Sequence, residues 1–316
     1  MFLEGGIYMA YKVGYASTTY DLLKEINDLM TKNGWAVLDS ATTTFNGQTV
    51  PCYYVWQGSG DGNDKIYLQM KIYDDDPKKI VLDSLAGFDK NLYYFEQPGS
   101  IQQWLKSTDE IRVDQPAFSL PVNELFYYWI FVDSYRLIVV TRMSIEYHSM
   151  YMGFIEPIAS ERQYSYPMYV CGNTTFVRGA DWNDCEHPSF VFPYRGSGML
   201  RRIDGTWREF ESRATMPEPN QQGSVFPYTA QNKQLIPNYK GKSDSSVAQD
   251  NFLLLPIIMR TENPVDMSGL LRGCYWISGT RDLSAEQTFV CNDMTYIVFD
   301  TKQYRNSNSY FCIEMK

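Results

Sequence analysis

The hydrophobic period of this chain changes early, and that change limits the folds open to it. Ser17-Thr-Thr-Tyr-Asp-Leu-Leu-Lys-Glu-Ile-Asn-Asp-Leu-Met-Thr-Lys-Asn-Gly34 carries Leu22, Ile26, Leu29 and Met30 at the spacing of one helix face. Ser17 or Thr18 supplies a cap, and Asp21 sits at the positive end of the helix dipole. Asn33-Gly34 gives a left-handed stop, followed by Trp35. Beyond this helix the period falls to two. In Ile66-Tyr-Leu-Gln-Met-Lys-Ile-Tyr73 the apolar residues Ile66, Leu68, Met70 and Ile72 point one way, and Gln69 and Lys71 the other, as in a half-buried strand.

Two hairpins follow from the same logic. Phe126–Val132 and Leu137–Thr141 flank Asp133-Ser-Tyr-Arg136, and their nearly continuous apolar runs predict strands in mid-sheet or under a second layer. Gln287–Cys291 and Met294–Phe299 flank Asn292-Asp293, residues that tolerate positive φ. Ser309–Met315 alternates to its end and predicts a strand inside a sheet. The expected fold is therefore mainly β, with sandwich-like antiparallel sheets and one N-terminal amphipathic helix. A boundary between Asp109 and Pro121 is expected to separate an α+β part, 1–115, from a β-rich part, 116–316. From about 174 to 249 Gly, Pro, Asn and Ser are frequent, which reads as a long irregular excursion.

Charge excludes several function classes. The net charge is −9, and a phosphate backbone demands clustered Lys and Arg, so nucleic acid is not an expected partner. Arg201-Arg202, the densest basic pair in a long stretch, reads as solvated. No apolar run nears the roughly 18 residues of a transmembrane helix, so membrane insertion is not expected. The opening MFLEGGIYMAYK lacks a basic segment followed by a long apolar block, which argues against a secretory signal. Met9-Ala10 reads as an alternative start, with the first eight residues as a lead-in.

Chemistry-bearing patterns are sparse. His148 and His187 are the only histidines, and neither has a recognisable catalytic partner in sequence. Gly58-Ser-Gly-Asp-Gly62 is neither a P-loop nor a dinucleotide fingerprint and reads as a turn. Gly196-Ser-Gly198 fails as a nucleophile elbow because Arg195 precedes it. Asp61–Asp64 and Asp74–Asp76 offer hard oxygen ligands without an EF-hand spacing, and ion-free acidic turns are the simpler reading. Carboxylate pairs for glycoside cleavage are spatial, and 37 acidic residues make any such pair uninformative. The six cysteines form no C-x-x-C pair and read as reduced thiols, Cys274 and Cys312 buried, Cys185 and Cys291 more exposed. No catalytic, cofactor-binding or metal-binding residue is expected.

Several stretches, in order, resemble structural proteins of tailed bacteriophage virions. They are the helix ending in Gly34-Trp35, then Val55–Tyr67, Tyr128-Trp129, the Tyr135-Arg136 turn and Val139-Val140. Tyr151-Met-Gly-Phe154, Gln163–Pro167 and Gly172-Asn173 come next, then Leu254–Ile258, Gly269–Trp276 and Tyr310–Met315. Cys274 and Cys312 depart from the pattern, which has small residues there. The resemblance implies a non-catalytic virion component in the tail or baseplate, or in the neck or collar. Its implied partners are copies of itself and other virion proteins, after assembly in the host cytoplasm. A host-recognition or carbohydrate-binding virion protein and a virion-associated hydrolase stand as rivals.

The composition, 16% aromatic with 25 Tyr, suits such contacts, because Tyr joins a large apolar face to a polar handle. On this reading MYMGFIEPIASERQYSYPMYVCG (150–172) is a proline-stiffened connector. Tyr151, Phe154, Tyr164, Tyr166 and Tyr169 are its candidate interface residues. A connector packed wholly within its own domain is the other reading.

Overall fold

A computed structural model describes residues 9–106, 115–121, 123–158, 167–175, 198–209, 254–262, 265–278, 284–300 and 309–315. The chain opens with β1 (Ala10–Ala16) and α1 (Thr19–Lys32), then β2 (Ala36–Phe45), β3 (Gln48–Asp61), β4 (Asp64–Tyr73) and β5 (Asp76–Leu85). A 3-10 turn (Tyr94–Glu96) and the short helix α2 (Ile101–Lys106) precede β6 (Pro116–Ser119). Next come β7 (Phe126–Val132), β8 (Arg136–Met143), β9 (Glu146–Phe154), β10 (Glu156–Pro157), β11 (Met168–Cys171) and β12 (Thr174–Thr175). The rest is β13 (Gly198–Arg201), β14 (Trp207–Glu209), β15 (Leu254–Glu262), β16 (Val265–Ser278), β17 (Thr288–Cys291), β18 (Met294–Asp300) and β19 (Ser309–Glu314).

The strands form three antiparallel sheets. The central sheet runs β1-β7-β8-β9-β11-β13-β14. The N-terminal sheet runs β12-β6-β5-β4-β3-β2, and the C-terminal sheet runs β10-β16-β19-β18-β17 with β15 also on β16. Mainly antiparallel β architecture is thus as the sequence predicts.

Alternation along the central strands explains the layering. Ile130 and Val132 on β7, Leu137 and Val139 on β8, and Met150, Met152 and Phe154 on β9 pack toward α1 and the N-terminal sheet. Their neighbours Trp129, Phe131, Ile138, Val140, Tyr151 and Tyr169 pack toward Trp276, Phe299, Phe311 and Ile313 of the C-terminal sheet. The middle of the central sheet is therefore apolar on both faces, which accounts for the continuous runs in sequence. Each such side chain stabilises the fold by about 1.5–3 kcal/mol on burial.

α1 starts and stops as the sequence predicts. The Thr18 hydroxyl accepts from the Asp21 N–H at 3.0 Å, and the Asn33 side chain donates to the Leu29 carbonyl at 2.7 Å. Gly34 follows at φ +86°. In the β17–β18 turn, Asn292 and Asp293 take φ of 50° and 63°. β19 lies between β16 and β18, inside its sheet.

All three sheets meet at the β7–β8 turn. The Asp133 carboxylate accepts from the Tyr135 and Arg136 N–H groups, both at 3.0 Å, and from Arg136 Nε at 2.6 Å. Arg136 also donates to the Arg272 carbonyl on β16. Burial disfavours the charged guanidinium, but the facing Asp133 carboxylate outweighs it, so the Arg136 pKa is raised. Two glycines make room for this side chain. A Cβ on Gly153 would lie 2.4 Å from Arg136 Cβ, and one on Gly273 2.4 Å from Arg136 Nη1. From the N-terminal sheet, the Gly60 N–H donates to the Ser134 carbonyl at 2.9 Å. Gly58 comes so near that carbonyl that a Cβ would sit 2.8 Å away. The glycine-rich stretch thus serves close approach between sheets as well as turning the chain.

The structure corrects four expectations. The division at 115/116 is crossed by pairing of β1 with β7 and of β6 with β5, and residues from both sides share one core. The excursion from 174 to 249 contains β12, β13 and β14, which put Met199, Leu200 and Trp207 into the interior; the remainder lies outside the described residues. Arg201 is buried, not solvated; its guanidinium lies 5.8 Å from the Trp207 ring, and burial lowers its pKa to about 10. Met150–Phe154 and Met168–Cys171 are not connector but paired strands of the central sheet. Residues 1–8 lie outside the described residues.

Candidate interaction surface

β1 forms one edge of the central sheet, with β7 as its only partner among the described residues. Its inward positions fit α1: Lys12 pairs with Glu25, and Gly14 lies beneath the Tyr128 hydroxyl, which a Cβ would meet at 2.4 Å. Burial first, and then Glu25, push the Tyr128 phenol up to about 12. Its other positions, Tyr11, Val13 and Tyr15, stand opposite Phe131, Trp129 and Tyr127 on β7. They share the face that farther along the sheet is covered by the C-terminal sheet. Over β1 that cover is missing among the described residues. Tyr11 is 52%, Val13 51%, Tyr15 69% and Tyr127 45% exposed. Leu125 and Ile145 add exposed apolar surface at the end of the sheet where Tyr15 and Tyr127 pair. A contiguous apolar row of this kind, unlike single exposed residues, marks a contact surface.

An ionic seam borders the row. The Arg142 guanidinium stacks over Tyr127 at 4.8 Å and Trp129 at 5.8 Å. It pairs with Glu286, which also accepts from the Tyr147 hydroxyl at 2.6 Å. Burial and the Glu286 carboxylate push Tyr147 up to about 12, so it stays a neutral donor near neutrality. Glu286 is itself tied to β18 through its N–H on the Val298 carbonyl, so this seam fastens the C-terminal sheet to the central sheet.

An open strand edge beside an aromatic row can do two things. Its backbone groups can take another strand, and its side chains give that strand apolar contact. Sequence reasoning missed this surface because it assigned no strand between the lead-in, residues 1–8, and the helix that begins near Ser17. The signal was Tyr11, Val13 and Tyr15 at alternate positions in Ala-Tyr-Lys-Val-Gly-Tyr-Ala.

The residues singled out from sequence lie elsewhere. Tyr151, Phe154 and Tyr169 are fully buried in the chain's own core, and burial pushes both tyrosines well above their ordinary pKa. They cannot face a neighbour in this fold, so the reading of a stretch packed within its own chain holds for them. Tyr164 and Tyr166 lie outside the described residues.

The acidic turns are engaged within the protein. Asp61 accepts from Arg272 at 3.1 Å, and Asp76 pairs with Lys79 at 3.2 Å. No cluster of three metal-ligating side chains occurs among the described residues. His148 is buried, with Nδ1 2.9 Å from the Asn173 amide nitrogen; Asn173 in turn bridges the Ser119 N–H and carbonyl. His187 and Cys185 lie outside the described residues. Cys274 and Cys312 are buried as expected, and burial pushes the Cys274 thiol up to about 12 and that of Cys312 well above the ordinary value.

A second buried polar group holds the outer face of the N-terminal sheet. The Asp83 carboxylate accepts from Ser100 Oγ at 2.6 Å and from the Ile101 and Ser84 N–H groups at 3.0 and 2.8 Å. Gln69 donates to the Tyr94 carbonyl at 3.1 Å beside it. Burial pushes Asp83 up to about 7, against the pull of those three donors. Its oxygens are occupied by the segment they fasten, which makes it a clasp for that segment. No known family model matches the chain, and no curated protein matches it.

Proposed function

We propose that this chain is a structural subunit of a tailed-phage virion, making contacts with copies of itself and with other virion proteins, and catalysing no reaction. Tail or baseplate is the first placement and neck or collar the second. One observation carries the proposal: the row Tyr11, Val13, Tyr15 and Tyr127 along a strand edge that is open among the described residues. Aromatic side chains of this kind give contact area at modest entropic cost, and the edge supplies directional hydrogen bonds. The resemblance of Val55–Tyr67, Tyr151–Phe154 and Gly269–Trp276 to virion proteins supports the same reading.

Quantitative mass spectrometry of purified particles of the phage encoding this chain tests it. The expected result is the chain at a fixed copy number per particle, retained through stringent washing. Its absence from particles would overturn the proposal. A glycan-array signal from the isolated protein would instead favour carbohydrate recognition by the exposed tyrosines.

A further inference from the structure

Resting on that reading, we infer that β1 pairs antiparallel with β1 of a second copy, centred on Val13. The strand is close to self-complementary. With Val13 opposite its own counterpart, Ala10 meets Ala16, Tyr11 meets Tyr15 and Lys12 meets Gly14. A two-fold axis normal to the sheet keeps like faces together. Tyr11, Val13 and Tyr15 of both copies then form one continuous row on the exposed face. Opposed residues come within about 5 Å between Cα atoms, the range in which aromatic cross-strand pairs stabilise a sheet.

Charge selects this register. A shift of one residue would pair Lys12 with Val13, which turns one copy over and splits the aromatic row between the two faces of the sheet. A shift of two in one direction sets the two Lys12 side chains directly opposite each other, and like charges there are destabilising. A shift of two in the other direction leaves each Tyr11 opposite Ser17, beyond the strand. An edge lysine ordinarily guards a strand against pairing. Here Lys12 points to the α1 face, is neutralised by Glu25 of its own copy, and meets a glycine across the axis. β1 carries no carboxylate, so the net charge of −9 is not concentrated where the copies meet.

The area sets the strength. Taking about 200 Å² for a whole tyrosine, the exposed parts of Tyr11, Val13, Tyr15 and Tyr127 amount to about 400 Å² per copy. Edge pairing leaves this row on an open face and does not reach Tyr127 on β7, so the pair covers only part of that area, below the roughly 1,200 Å² of a stable interface. The paired state is therefore concentration-dependent in solution and becomes persistent when an assembly holds the copies together.

Val13→Cys tests the register, because the axis sets the two new thiols opposite each other at disulfide distance. Val290→Cys, at a comparably exposed position (57%) on β17, is the control. Under mild oxidation at equal protein concentration, Val13→Cys is expected to form a covalent dimer about ten-fold faster than Val290→Cys. Peptide mapping should show the new thiol joined to its own counterpart. Equal rates, or linkage of the Val13→Cys thiol to a native cysteine instead, would overturn the pairing. Sedimentation velocity on the unmodified protein gives a second arm: a rise toward dimer with concentration is expected, and a monomer throughout overturns the inference. Particle mass spectrometry is independent of both arms. The chain can therefore be found in virions without this pairing, or pair without being a virion protein.

Discussion

β9 and β1 belong to the same sheet and carry apolar residues at alternate positions, yet they have different surroundings. β9 is covered on both faces, with Phe154 against α1 and the N-terminal sheet and Tyr151 against the C-terminal sheet. Among the described residues β1 is covered only on the α1 side, and Arg142, Glu286 and Tyr147 join the C-terminal sheet to the central sheet beside it. A tyrosine therefore has a different consequence in each place. In β9 it fills the molecule, and in β1 it remains available to a partner.

The largest expected effect tests this contrast on stability. Phe154→Ala leaves a cavity between layers and should cost about 3–5 kcal/mol. Tyr15→Ala removes a side chain that is mostly in water and should change stability by less than about 0.5 kcal/mol. Equilibrium denaturant unfolding of the two variants decides it. Comparable losses would mean that the β1 row is covered within the chain after all.

The contrast was only half legible in sequence. Local pattern revealed α1, because Thr18, Asp21, Asn33 and Gly34 act through neighbouring backbone groups. It revealed β4 and the β7–β8 and β17–β18 hairpins for the same reason. What covers a strand is a long-range property. Tyr11 lies between Ala10 and Lys12, and Tyr151 between Met150 and Met152, but neither setting tells what covers the ring. Of the candidate interface residues Tyr151, Phe154, Tyr164, Tyr166 and Tyr169, the layers bury Tyr151, Phe154 and Tyr169, and Tyr164 and Tyr166 lie outside the described residues. The pairing of β1 with β7 spans more than a hundred residues and defeated the expected division into two parts. Arg201 reads as solvated because a basic pair usually is; Trp207, six residues on, folds back over it.

A smaller expected effect extends the comparison to the outer face of the N-terminal sheet, covered by the short segment that Asp83 clasps. Burial raises its pKa from 3.8 to about 7, so the folded chain binds this proton more tightly than the unfolded chain. Its contribution is full below the unfolded value and is lost as pH rises through about 7. Thermal melts between pH 5 and 8 should therefore fall more steeply for the wild type than for Asp83→Asn, whose amide does not titrate. Parallel curves would mean that water reaches this carboxylate and that the face is not sealed.

Hydrogen exchange compares the two strands most directly. β9 lies between β8 and β11 over Tyr151–Phe154, and the amides of that stretch should exchange slowly at every protein concentration. Half of the β1 amides point to the side that has no strand among the described residues and should exchange rapidly in dilute protein. Raising the concentration should slow the β1 peptide selectively, with the β9 peptide unchanged, as a second copy takes the edge. A β1 peptide already protected in dilute protein, or unprotected at all concentrations, would contradict the account of β1 as the contact surface.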